Sequence, residues 1–172
     1  MKADVVIIGA GASGLMCAMA AGKRGRSVIV VDHKREVGSK IRISGGGRCN
    51  FTNRTVTPAH YLTGNPHFVL SALARCTPSH FIELLDQHGI GYEEREAGRL
   101  FCIRSAQQIS DMLLEEGRRA GVKFVLGCRI QEVGATGSSG AGRFTIRSDQ
   151  VDFSSNSLVV ASGGLSYPGA GA

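Results

Sequence analysis

Glycines 9, 11 and 14 follow a β-branched run at residues 5–8 in the stretch "DVVIIGAGASGL". Their G-x-G-x-x-G spacing suits a backbone that must pass close to a pyrophosphate. Gly9 permits a tight turn, Gly11 lets the chain approach the phosphates, and Gly14 lets a following helix pack against the strand. The N–H groups of Ala12 and Ser13 would then face the phosphates from a helix N-terminus, the positive end of its dipole. A second apolar run, "SVIVVD", ends at Asp32. A carboxylate there accepts hydrogen bonds from ribose hydroxyls and repels a 2′-phosphate. The chemistry implied is binding of FAD or NAD in preference to NADP. There is no G-x-x-x-x-G-K-[ST] run, so a mononucleotide P-loop is not indicated.

Positioning these groups requires a strand, a helix and a parallel strand. The two apolar runs read as buried parallel strands, and the small residues of "LMCAMAAGKRG" as a closely packed helix ended by Gly22 or Gly25. "TPSHFIELLDQHG" predicts a second helix, with Thr77 as cap, Pro78 in the first turn and Gly89 as stop. On it, His88 continues an apolar face and reads as a helix-end residue. "SAQQISDMLLEEGRRAG" predicts a third, with Ser105 and Gln108 as a capping box. Residues 123–126 read as a further sheet strand. "RIQEV" and "RFTIRS" alternate as a hairpin around a glycine-rich turn at 134–142, and "SLVVASGG" reads as a last buried strand running into a glycine loop. The segment between the βαβ unit and the helix at 77 reads as an irregular helical excursion. The fold class predicted is α/β, a parallel sheet with a β-meander crossover, which suits an FAD domain better than a simple NAD domain.

Composition narrows the class. The 172 residues carry a formal charge of +6, but the basic residues are scattered and form no aromatic-rich stripe, so no nucleic-acid partner is expected. Five cysteines, at 17, 49, 76, 102 and 128, form no C-x-x-C pair, which argues for a reducing compartment and against a disulfide scaffold or metal site. The apolar stretch at 5–21 is short and broken by glycines, so no membrane span is expected and the protein reads as cytoplasmic.

One loop stands apart. In "GSKIRISGGGRCNFTN", Lys40 and the run Ser44, Gly45, Gly46, Gly47, Arg48, Cys49, Asn50 make a second candidate surface for an anion or a planar ring. Consecutive glycines allow a nest of backbone N–H groups, and Arg48 adds a fixed charge. A flexible surface loop is the alternative. Beside Arg48, the Cys49 thiol is expected to have a lowered pKa. Its expected role is packing beside a cofactor, since no disulfide relay is supported.

The stretches "GAGASGL", "GSKIRISGGGRCNFTN", "NPHF", "GRLF", "SAQQI" and "ASGGLSYPGAGA" together resemble the BaiN-like NAD(P)/FAD-dependent oxidoreductases, also called the aminoacetone oxidase family of FAD-binding enzymes. The resemblance implies a Rossmann-like FAD-binding fold of the glutathione-reductase type. It places the pyrophosphate on Gly9, Gly11, Ala12, Ser13 and Gly14, and the adenosine ribose on Asp32, with His33 nearby. It runs residues 40–50 along the pyrophosphate toward the flavin ring. It brings the backbone of Ile130 to the adenine, and Ser162, Gly163 and Gly164 back to the cofactor. Ser162 stands where the family has threonine, which keeps the hydroxyl. Tyr167 is expected to line the flavin pocket.

The implied function is that of an FAD flavoprotein oxidoreductase acting on a small organic substrate, with NADH or NADPH as reductant in the complete enzyme. A non-catalytic dinucleotide-binding module needing a partner chain, and an NAD-only dehydrogenase domain, remain open as alternatives. The family continues well beyond 172 residues, so the chain is expected to be one FAD-binding domain without its substrate domain and C-terminal flavin contact, and no catalytic residue is assigned.

Overall fold

The computed structural model describes residues 1–135 and 142–164. Strand β1 (Lys2–Ile8) leads through α1 (Ala12–Gly22) to β2 (Val28–Asp32). There follow α2 (Ser39–Ile43), a 3-10 turn at Ser44–Gly47, β3 (Asn50–Asn53), a second 3-10 turn at Pro58–His60, α3 (Leu70–Arg75) and α4 (Pro78–Gln87). Then come β4 (Tyr92–Arg95), β5 (Arg99–Cys102), α5 (Gln107–Arg119) and β6 (Lys123–Leu126). Strands β7 (Ile130–Ala135), β8 (Phe144–Ser148) and β9 (Phe153–Val160) complete the order. The chain forms two compact units, one of Met1–Lys40 with the residues from Ser110 onward, the other of Ile41–Ile109.

The first unit is built on a six-stranded sheet in the order β6-β2-β1-β9-β8-β7. The pairs β6–β2, β2–β1 and β1–β9 are parallel, whereas β9–β8 and β8–β7 are antiparallel. Residues 28–31 of β2 are buried one after another, as expected of a parallel strand covered on both faces. Leu15, Ala18 and Met19 of α1 are buried, and a separate cluster gathers Val6, Ile29, Val31, Ile146 and Phe153. Ile8 pairs with both Val31 and Val160, and Asp32 with Leu126. The carboxyl ends of the four parallel strands therefore lie side by side, the edge at which open α/β sheets bind ligands. The hairpin β7–β8 joins β6 to β9 as the predicted meander. Its turn falls partly on residues 136–141, outside the described residues.

The second unit differs from its sequence reading. The predicted helical excursion contains strand β3, which joins β4 and β5 in a three-stranded antiparallel sheet, order β3-β5-β4. Each strand is only four residues long, and "YEER" has no apolar alternation. The β3–β5 pairing depends on contacts distant in sequence, between Asn50 and Phe101 for example. Phe51 packs against Phe81 and Tyr92, with ring centroids 5.8 Å apart in each pair. Helix α4 begins as predicted after Thr77, whose N–H donates to Nδ1 of His80 (3.0 Å), and stops at Gly89 (φ 62°). His88 is its half-buried C-terminal cap. Residues 57–60 repeat the same Thr-Pro-x-His device, with Thr57 N–H donating to Nδ1 of His60 (3.0 Å). The capping box expected at α5 forms only in part. Ser105 Oγ accepts from Gln107 N–H (3.1 Å), but Gln108 Oε1 is buried without a partner.

Candidate functional site

The three glycines of the first turn do different work. Gly9 has φ +110°, and a Cβ on it would sit 2.3 Å from the Ala161 carbonyl oxygen. A Cβ on Gly14 would lie 1.9 Å from the Gly9 carbonyl oxygen. The fold itself therefore requires both. Gly11 has φ −83°, which any residue adopts, and its Cβ would meet no atom within 4 Å. No atom of the described chain stands in the way of a side chain there, which leaves open space over the turn. Gly11 caps α1 without a side-chain hydrogen bond, and the first helical bond runs from Leu15 N–H to the Gly11 carbonyl (2.9 Å). The N–H groups of exposed Ala12 and Ser13 precede that bond and have no intrahelical acceptor. An open cradle thus meets the positive end of an eleven-residue helix.

Asp32 ties the end of β2 to this turn. Its Oδ2 accepts from Ala10 N–H at 2.6 Å and its Oδ1 from Lys34 N–H at 2.8 Å. Each oxygen keeps a second lone pair for a ribose hydroxyl. His33 Nδ1 lies 3.4 Å from Oδ1. Beside the carboxylate opens a cavity of about 280 Å³, whose lining includes Gly9, Asp32, His33, Ile130 and Ser162. Five residues named from the sequence, far apart along the chain, thus share one cavity. Its lining also includes Cys128 and Arg129, which sequence reasoning missed. The available signal was their place just after a parallel strand, past a left-handed glycine (Gly127, φ 69°). Lys40 Nζ donates to the Gly164 carbonyl, and a Cβ on Gly163 would come within 3.3 Å of the same Nζ. Tyr167 lies outside the described residues.

Residues 44–50 belong to the second unit. Gly45, Gly46 and Gly47 have φ of 57°, 66° and 81°. A Cβ on Gly45 would lie 2.8 Å from the Phe101 ring. Backbone conformation at all three, and packing at the first, already explain the glycines. The Arg48 and Cys49 N–H groups turn back onto the Gly45 (3.4 Å) and Ser44 (2.9 Å) carbonyls. They are not offered outward. The Arg48 guanidinium lies 3.8 Å from Glu93 Oε1.

Cys49 also departs from its expected chemistry. It is buried and left-handed (φ 49°), and burial raises its thiol pKa, partly offset by a hydrogen bond with Ser44. Cys102 is pushed up to about 11 by burial and then by the nearby Cys49. Desolvation outweighs the proximity of Arg48 because the sulfur is inside and the guanidinium is half outside. With iodoacetamide at neutral pH, exposed Cys76 is expected to label first, and Cys49 and Cys102 at least about tenfold more slowly. Raising the pH should speed the buried pair, because their thiolates form only there. Rapid neutral labelling of Cys49 on peptide mapping would contradict this.

Sheet order, meander crossover and glycine turn define a Rossmann-like FAD-binding fold of the glutathione-reductase type. The chain belongs to the family described as HI0933-like protein Rossmann domain, whose model matches residues 3–172. It is 48% identical over 97% of its length to a ribosomal RNA dihydrouridine synthase of Haemophilus influenzae, covering 42% of that protein. It is 32% identical over 92% of its length to a 3-dehydro-bile acid delta(4,6)-reductase of Clostridium scindens, covering 38% of that protein. The chain thus spans well under half the length of these relatives. The 3-ketosteroid-delta4-(5alpha)-dehydrogenase of Rhodococcus jostii RHA1 superposes with a TM-score of 0.68 at 14% identity, over 94% of this chain and 46% of that one. This likeness shows the fold alone. No helix among the described residues is long and apolar enough to cross a membrane.

Proposed function

We propose that this chain is the FAD-binding part of a flavoprotein reductase whose substrate carries a carbon–carbon double bond conjugated to a carbonyl. The observation that carries the cofactor reading is Gly11, the one glycine of the turn that the fold does not need. The N–H groups of Ala12 and Ser13 would hold the pyrophosphate. Asp32 would take the ribose hydroxyls, Ile130 would face the adenine, and Arg129 would add positive charge at the cavity. Ser44, Asn50 and the glycines between them enter as cofactor contacts on their sequence signature alone. Bound flavin supplies the hydride chemistry; this chain's residues supply binding and orientation.

The substrate class follows from chemistry shared by the relatives' names. Forming dihydrouridine saturates the C5–C6 bond of uracil, which is conjugated to the C4 carbonyl. A delta-reductase acting on a 3-dehydro bile acid saturates a bond in the same electronic setting. The 48% identity favours uridine in RNA; NADH or NADPH is the reductant proposed on the family resemblance. This departs from the absence of a nucleic-acid partner expected from the scattered basic residues. The activity belongs to a protein of the relatives' length.

Purified with FAD, the chain is expected to retain it and show the visible absorbance of oxidised flavin. A colourless protein that takes up no added FAD overturns the cofactor reading. Uptake of NADH without FAD moves the protein to the nicotinamide-only alternative.

A further inference from the structure

The second unit contains a cavity of about 370 Å³, of whose lining the flavin reading uses only Asn50. Its lining includes Asn50, Phe51, Thr52 and Asn53 of β3, with His60 at the end of the second 3-10 turn and Tyr61 just after it. From its composition we propose that this cavity binds a pyrimidine nucleobase. The inference rests on the proposed RNA substrate only for the choice of base; the cavity's chemistry is argued separately.

A pyrimidine is a flat ring with an apolar face and an edge that alternates donors and acceptors. The cavity offers both. Phe51 is among the lining residues, its ring fixed by packing against Phe81 and, edge-on, Tyr92. Tyr61 is exposed and free to stack, and stacking of a base on an aromatic side chain contributes about 1–3 kcal/mol. The polar groups are distinct in kind. The Asn53 side-chain amide has no hydrogen-bond partner among the described residues, so it brings one acceptor and two donors. The Asn50 amide, oriented to donate to the Thr52 (2.9 Å) and Leu100 (3.2 Å) carbonyls, keeps its oxygen as an acceptor. His60 Nδ1 accepts from Thr57 N–H, which places the imidazole proton on Nε2 as a donor. Amide, imidazole and hydroxyl beside two aromatic rings match the recognition of an unstacked base by its edge and face.

The test is a titration of the isotopically labelled chain with uridine 5′-monophosphate, followed by NMR, with ribose 5-phosphate as a parallel arm. The nucleotide is expected to give saturable shifts at residues 50–61 and at the Asn53 side-chain amide; ribose 5-phosphate is expected to give none there. Asn53→Ala, which removes no internal hydrogen bond, is expected to weaken binding about fivefold or more, the loss of one or two hydrogen bonds. Absence of shifts at residues 50–61, equal shifts with ribose 5-phosphate, or unchanged affinity in Asn53→Ala would each overturn the proposal. Flavin absorbance read on the same samples separates the two ideas. Flavin retained without nucleotide shifts removes only the base pocket; shifts in a protein that takes up no flavin remove only the cofactor reading.

Discussion

Gly11→Val is expected to abolish FAD retention while leaving the fold intact. At φ −83° and ψ −173° the backbone is extended, a region that valine prefers, and its Cβ would touch no atom of the described chain. The cost to the protein itself is limited to a poorer helix cap, about 1 kcal/mol or less. For a chain of this size that lowers Tm by roughly 2–4 °C. A pyrophosphate over the turn, however, would meet two methyl groups where it now finds open space. A loss of affinity of at least about a hundredfold, near 2.7 kcal/mol, is expected. The contrast is Gly14→Ala. Its new methyl would press 1.9 Å from the Gly9 carbonyl oxygen, between backbone segments that cannot yield cheaply. That variant should lose stability first and flavin only as a consequence. Thermal unfolding and bound flavin per chain, measured on both variants, give opposite orders. Gly11→Val that still carries FAD would show that the cradle over the turn is not the cofactor's.

How much was readable beforehand follows the range of the interactions. The βαβ unit was legible because its signals are local: an unbroken apolar run, three glycines, a second run and an acid. The strand at 123–126 matched its expected bounds, since β-branched and aromatic residues flanked by glycine identify it alone. The three-stranded sheet of the second unit was not legible. Strand β3 is held by pairing with β5 residues about fifty positions away, and no four-residue window encodes that. Cys49 failed for a related reason. The sequence shows the neighbouring Arg48, whereas the burial that governs its thiol comes from residues distant in the chain. At the glycines of 45–47 two causes compete, a left-handed backbone and a close approach. The fold accounts for Gly45 through its φ and the Phe101 ring, and leaves the space over Gly11 open.

Asp32 illustrates two causes acting on one residue, and its substitution is expected to have two separable effects. The carboxylate accepts the Ala10 and Lys34 N–H groups on different oxygens. Ala10 is buried, so Asp32→Ala leaves its N–H without a partner, at about 1–3 kcal/mol. Asp32→Asn does not escape this cost. Its one oxygen can satisfy one donor, while its NH₂ group faces the other. Both variants are therefore expected to lose roughly 2–10 °C in Tm. If the clasp were the residue's whole role, FAD affinity measured well below the unfolding temperature would scarcely change in Asp32→Asn. The cavity beside the carboxylate argues for more, because the same oxygens have lone pairs left for ribose hydroxyls. Hydrogen bonds to a charged acceptor contribute about 1.5–3 kcal/mol each, so FAD affinity should fall at least about tenfold in Asp32→Asn. The folded fraction sets the amplitude of the titration and the ribose contacts set its midpoint, so one isothermal experiment separates them. A reduced amplitude at an unchanged midpoint would leave Asp32 as a clasp between β2 and the glycine turn, with the ribose held elsewhere.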